Sequence, residues 1–195
     1  MAMQNPEATW RSPALQVAVH WRTLAAAGRE LETALDAAEL ERIARLERSA
    51  DRGRSLVAAA TLRTVAAERL GIAAEAVRVD RTCDECGRQH GAPRLLHERA
   101  PWASVSHSGV LIAVVLAGAP VGIDVQRLAD LPAPERGADW VRAEAVVKAE
   151  GVARSAGIPL GRLTTFELDA PMPGYAAALA LPAASGMPHV IAVGP

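Results

Sequence analysis

In the run Pro120-Val121-Gly122-Ile123-Asp124-Val125-Gln126 an acid and an amide stand two residues apart. Read as a strand, it puts Val121, Ile123 and Val125 on one face and Asp124 with Gln126 on the other. Further along, Glu144 and Lys148 stand at i and i+4 in Trp140-Val141-Arg142-Ala143-Glu144-Ala145-Val146-Val147-Lys148, which places both on one face of a helix. Carboxylates brought together from two elements are hard oxygen ligands suited to Mg²⁺, which takes one or two carboxylates plus phosphate oxygens and water. The plain alternatives are the solvated face of a half-exposed strand and a surface ion pair contributing about 0.2–0.5 kcal/mol. Against them stands the composition: of 21 basic residues, Lys148 is the single lysine, and it is kept beside an acid.

A third segment, Val105-Ser106-His107-Ser108-Gly109, reads as a strand end before a turn. A serine, an imidazole and backbone N–H groups at such a corner can hold a phosphate; the same residues also make an ordinary hairpin turn. A Ser-His-Asp hydrolase is disfavoured. Ser106 and His107 are adjacent and point to opposite faces when extended, and no Gly-x-Ser-x-Gly nucleophile elbow is present.

The elements that must position these residues follow from periodicity. Leu15, Val17, Val19 and Trp21 alternate with polar or small residues, as in a half-buried strand. Asp36 followed by Glu39 resembles a capping box opening a helix with Leu40, Ile43 and Leu46 inside and Glu41, Arg42, Arg45 and Arg48 outside. Residues 55–70 form a second helix, apolar nearly all round, ending at Gly71. A short strand at 77–79 precedes an irregular segment, 83–93. Strands follow at 102–106 and 110–117, with 121–126 expected to pair with the latter across Gly118-Ala119-Pro120. A helix capped by Asp139 runs from about Trp140 to Glu150, before Gly151, and further strands are expected at 164–168, 175–181 and 189–193. The aromatic residues Trp10, Trp21, Trp102 and Tyr175 read as core or edge packing. This order predicts an α+β fold of two similar halves, residues 1–118 and 119–195.

A formal charge of −1 gives no global basic field for nucleic acid. The longest apolar stretch, 110–121, is broken by Gly118 and Pro120 and falls short of the ~20 residues of a membrane helix. The polar start lacks the order of a secretory signal, so a cytoplasmic protein is expected. Cys83 and Cys86 are too close together to staple a fold.

Taken in order, Ser106-His107-Ser108-Gly109, Gly122-Ile123-Asp124 and Trp140-x-x-x-Glu144-Ala145-x-x-Lys148-Ala149 resemble the 4'-phosphopantetheinyl transferases of the larger monomeric class, which act on peptide, polyketide and fatty-acid carrier proteins. Upstream, Asp51-Arg52-Gly53-Arg54-Ser55 leading into Leu62-Arg63 is similar to that family's arginine-marked helix, and His90-Gly91-Ala92-Pro93-Arg94-Leu95 to its coenzyme-contacting loop. The resemblance runs from about Asp36 to Gly151. It implies two pseudo-symmetric halves with the active site between them, the N-terminal half binding coenzyme A and the C-terminal half carrying the metal and catalytic motifs. It also implies transfer of phosphopantetheine from coenzyme A to a serine of an acyl or peptidyl carrier protein.

On the same resemblance, Asp124 and Glu144 hold Mg²⁺ against the coenzyme pyrophosphate, with Gln126 at the place where the family often has a further acid. Glu144, directly or through a metal-bound water, takes the proton from the carrier serine, and Lys148 steadies the pyrophosphate. Ser106 and His107 bind coenzyme phosphate oxygens; Arg54, Ser55 and Arg42 engage the 3'-phosphate, and His90 and Arg94 belong to the coenzyme loop. The chain departs from the pattern at Gln126, at Ala143 and at Ala92, so phosphate contacts from those regions fall to Arg142 or Arg94. Two other readings are a coenzyme A-binding relative with weak or no transfer, and a small zinc-binding interaction protein. The second would use Cys83-x-x-Cys86-Gly87-x-x-His90, with His97 as a possible fourth ligand.

Overall fold

The computed structural model describes residues 16–194; Trp10 and Leu15 lie outside the described residues. In chain order the strands are β1 (Gln16–Thr23), β2 (Val79–Thr82), β3 (Gln89–Leu95), β4 (Trp102–Ser108), β5 (Leu111–Ala117), β6 (Gly122–Arg127), β7 (Leu163–Glu167), β8 (Tyr175–Pro182) and β9 (His189–Val193). The helices are α1 (Ala37–Ala44), α2 (Ser49–Leu70) and α3 (Gly137–Ser155). The strands make a four-stranded sheet in the order β4-β5-β1-β9, a β2-β3 hairpin, and a three-stranded sheet in the order β6-β8-β7. The class is α+β.

Period-two alternation in β1, β5, β6 and β8 explains the layering. Val17, Val19 and Trp21 of β1 and Leu111, Ala113 and Val115 of β5 face Ile123, Val125, Leu179 and Leu181 of the other sheet, forming the main core between the two sheets. The opposite face of the larger sheet, with Ile112, Val114 and Leu116, packs on Val57, Ala58, Leu62 and Val65 of α2. On the outer face of the smaller sheet, Ala178 and Ala180 pack on Val141, Ala145 and Ala149 of α3. The layers are therefore helix, sheet, sheet, helix.

Several expectations change. The 121–126 strand does not pair with β5: β6 lies antiparallel to β8, with Asp124 opposite Ala178. A proline-containing corner serves a step between sheets as well as a hairpin, and Pro120 and Val121 are buried at that step. The last strand crosses back to lie parallel to β1, so the larger sheet takes strands from both ends of the described chain. Helix α2 starts at Ser49, six residues before the expected start at Ser55. Helix α3 starts at Gly137 without a side-chain cap, so Asp139 lies inside its first turn, paired with Arg142, rather than at the cap, and the helix passes through Gly151 to Ser155. An interior glycine costs about 1 kcal/mol against alanine, and burial of Val152 and Ala153 beyond it offsets that. Residue Val77 is buried ahead of β2 rather than within it, and β3 occupies the end of the segment read as irregular.

The Asp36 cap is present, its carboxylate accepting from Glu39 N at 2.9 Å. The box is not reciprocal. The Glu39 side chain turns instead to the fully buried Arg63, whose guanidinium also reaches Asp36 and the Val77 carbonyl. One arginine thus ties α1, α2 and the approach to β2 together.

Candidate functional site

The two sheets meet edge to edge along β4 and β6, and serine hydroxyls join them. Ser104, Ser106 and Ser108 alternate on one face of β4 and accept hydrogen bonds from Ile123 N, Val125 N and Arg127 N at 3.2, 3.1 and 3.0 Å. These bonds satisfy backbone donors that an edge strand would otherwise leave unpaired. Ser106 also donates to Asp124 Oδ1 at 2.8 Å. The serine is therefore fixed by structure on one side and by the carboxylate on the other.

Helix α3 supplies the third member. Lys148 Nζ lies 2.6 Å from Asp124 Oδ1 and 2.9 Å from Ser106 Oγ. What allows the helix this close is Gly122. A Cβ there would sit 1.9 Å from the Ala145 carbonyl oxygen and 2.6 Å from Ala149 N, so the glycine two residues before Asp124 is a packing surface for α3.

Around this triad opens a cleft of about 240 Å³, walled by Ser106, His107, Asp124, Gln126 and Lys148 together with Arg42, Ser55 and Arg81. Its cations outnumber its acids, Asp124 being the single carboxylate among its lining residues. Buried side-chain atoms without hydrogen-bond partners among the described residues concentrate here: Asp124 Oδ2, Arg42 Nε and Arg81 Nε, with Glu39 Oε1 behind them. Buried polar groups are nearly always paired, so a cleft backed by an unpaired carboxylate oxygen and two unpaired guanidinium nitrogens is suited to ligands of both signs.

The electrostatics agree. Burial, then the neighbouring Arg42 charge, pushes Arg81 down to about 10, with Glu39 acting the other way; the guanidinium stays protonated at neutral pH. Burial likewise lowers Arg42, again opposed by Glu39. The His107 ring reaches solvent, yet it is crowded in the cleft; partial desolvation first, then Arg54 and to a lesser degree Lys148, hold it below its ordinary value. Two crowded like charges and a neutral imidazole are relieved by an anion.

Not every residue singled out from the sequence is in the cleft. Arg54 donates to the Gly109 carbonyl at 2.7 Å and pairs with Asp51. Arg94 is tied to Asp80 and to the Ser155 carbonyl, and Arg142 to Glu167 and Asp139. Arg94 and Arg142 are thus engaged in contacts within the fold and do not line the cleft, and the extra cation in the cleft is Arg81 of β2, which the sequence reading missed. Its only signal was alternation with Asp80 in a short strand. Glu144 is half-buried one turn before Lys148, makes no salt bridge among the described residues, and is not among the residues lining the cleft.

His90 lies on the hairpin rather than in the cleft. With Arg42, Arg45 and Arg88 it borders a wider basin of about 570 Å³, which adjoins the cleft at Arg42. Its Nε2 is 2.9 Å from Cys86 Sγ. Hydrogen bonding from Arg88 first, then from His90, lowers the Cys86 thiol to about 6. The Nδ1 of His97 is engaged elsewhere, accepting from Arg99 N. Of the aromatics, Trp21 is buried, Trp102 and Tyr175 pack at the core edge, and the Tyr175 hydroxyl accepts from Val110 N.

No family model matches the chain, and no curated protein matches it. Among the described residues no helix is long and apolar enough to cross a membrane.

Proposed function

We propose that the protein is a magnesium-dependent 4'-phosphopantetheinyl transferase, built as two related halves with the active site between the sheets. The observation that carries this reading is the open, buried Asp124 Oδ2 beside the unpartnered guanidinium nitrogens of Arg42 and Arg81 and the Lys148 ammonium. A carboxylate oxygen with no protein donor fits a hard cation, and the surrounding cations fit a polyphosphate. Asp124 and the Gln126 side chain supply oxygens of the kind Mg²⁺ takes, with Glu144 on the facing helix.

Coenzyme A is the substrate, its pyrophosphate held by Lys148, Arg81 and His107, while Ser106, whose one proton is given to Asp124, orients that carboxylate and the Lys148 ammonium. Arg42, at the junction of cleft and basin, takes the 3'-phosphate. Magnesium, when bound, neutralises charge developing on the phosphoryl oxygens as 3',5'-adenosine bisphosphate leaves. Lys148 gives up part of its contact with Asp124 to the phosphate. Glu144, which makes no salt bridge among the described residues and stands one turn before Lys148 outside the cleft lining, would accept the proton as the carrier serine oxygen bonds to phosphorus.

The test is to mix the protein with coenzyme A, Mg²⁺ and a panel of apo carrier proteins and weigh the carriers intact. A phosphopantetheine adduct that disappears with EDTA and in Asp124→Ala and Glu144→Ala is expected. Coenzyme A binding without an adduct would favour a non-transferring relative, for which Gln126 in place of an acid speaks. Absence of binding would overturn the reading.

A further inference from the structure

We propose that Cys83, Cys86 and His90 form a zinc site at the tip of the β2–β3 hairpin, with its fourth position open to water. The two thiols and one imidazole nitrogen lie within 4.8 Å of one another, and both cysteines are free. Tetrahedral zinc, with bonds of about 2.3 Å to sulfur and about 2.0–2.1 Å to nitrogen, sets its ligand atoms about 3.5–3.8 Å apart. The 2.9 Å between Cys86 Sγ and His90 Nε2 opens by less than about 1 Å to meet that spacing, a change that side-chain rotation at an exposed tip accommodates. Soft thiolates and imidazole select zinc over the magnesium that oxygen ligands select.

The backbone is shaped for this convergence. Gly87 N donates to the Cys83 carbonyl and Cys83 N to the Arg88 carbonyl, both at 2.8 Å, closing a tight turn between the two thiols. Gly87 has φ of +70°, in the left-handed region where a side chain would be strained, and this reversal brings His90 back beside Cys86. Arg88 Nε lies 3.5 Å from Cys86 Sγ and donates to it. The tip is anchored from the far side as well, since Ser155 of α3 donates to Asp84 at 2.8 Å.

A two-stranded ribbon is marginally stable alone, and the β2–β3 ladder slips register between Asp80 and Thr82. A metal bridging the end of β2 to the start of β3 clamps the ribbon across that slip, and β2 is the strand that carries Arg81 into the cleft. The site is independent of which reaction the cleft performs.

The experiment uses untagged full-length protein, dialysed against metal-free buffer and analysed for zinc, then stripped and titrated with Co²⁺. Stoichiometric zinc is expected, together with a thiolate-to-cobalt charge-transfer band and the intense d–d bands of tetrahedral cobalt. Cys83→Ser and Cys86→Ser should lose both signals, His90→Gln should weaken them at least tenfold, and Asp84→Asn should retain them. A wild type that is free of zinc and shows no charge-transfer band while its thiols are reduced would overturn the proposal. So would zinc persisting in the Cys83→Ser/Cys86→Ser double variant. Should the cysteine variants fail to fold, the cobalt spectrum of the wild type still decides.

Discussion

Lys148 and Asp124 share a 2.6 Å contact through Oδ1, and the other carboxylate oxygen, Oδ2, is buried without a donor among the described residues. A pair evolved only to hold α3 against β6 would satisfy both oxygens, because an orphaned buried acceptor costs about 1–3 kcal/mol. The open oxygen is thus better understood as a ligand position. Asp124→Asn keeps the volume and an acceptor for Lys148 while removing the charge. Magnesium-dependent transfer should fall about a hundredfold or more, with little change in the far-UV circular dichroism spectrum. A variant with unchanged transfer would remove Asp124 from the metal site.

Arg81 offers the sharpest contrast with residues chosen from motifs. Its guanidinium is crowded by Arg42 and its buried Nε has no partner among the described residues, whereas Arg94 is consumed by Asp80 and Ser155. A charged hydrogen bond contributes about 1.5–3 kcal/mol, so Arg81→Ala should weaken binding of 3',5'-adenosine bisphosphate roughly tenfold to a hundredfold. It should also flatten the salt dependence of binding, measured by calorimetry. Arg94→Ala should lower thermal stability instead and leave affinity nearly unchanged.

Local structure was largely legible. The alternation at Val17, Val19 and Trp21 marked β1, Asp36 marked the start of α1, and Gly71 the end of α2. The cleft members Ser106, His107, Asp124 and Lys148 were grouped through the resemblance of three short segments, taken in order, to a known family, since each segment alone reads as ordinary strand, turn or helix. Pairing was less legible. The alternation of β6 fits β5 and β8 equally well, and the parallel contact of β9 with β1 joins segments from opposite ends of the described chain. The one signal at Arg81, alternation with Asp80 in a short strand, was too weak to single it out, because one arginine among many in a short strand is ordinary. The convergence of Cys83, Cys86 and His90 depends on a hairpin reversal that spacing alone does not specify.

Gly122 links fold and site in a way that substitution can isolate. A methyl group there meets the Ala145 carbonyl at 1.9 Å, so α3 must move away from β6. Overpacking of this kind costs about 1–3 kcal/mol. Gly122→Ala should lower the midpoint of thermal unfolding and, because α3 carries Lys148 and Glu144, reduce transfer by more than the loss of folded protein explains. Activity normalised to the folded fraction separates the two effects. A normalised activity equal to wild type would mean that the position of α3 does not set the site.

His107 gives the cleft a pH dependence whose sign is fixed. Its folded-state pKa lies below the ordinary 6.5 because of desolvation, then Arg54 and, more weakly, Lys148. The folded protein therefore binds fewer protons than the unfolded chain in the window below 6.5, so this contribution to stability is present above 6.5 and is lost as pH falls toward the folded value. A bound phosphate reverses the local balance by favouring the imidazolium. Binding of 3',5'-adenosine bisphosphate should accordingly take up protons and tighten as pH falls through this window. Calorimetry in two buffers of different ionisation enthalpy measures the uptake directly. His107→Gln should abolish it while retaining measurable binding, because Arg42, Arg81 and Lys148 still face the ligand; undiminished uptake in that variant would assign the proton to another group.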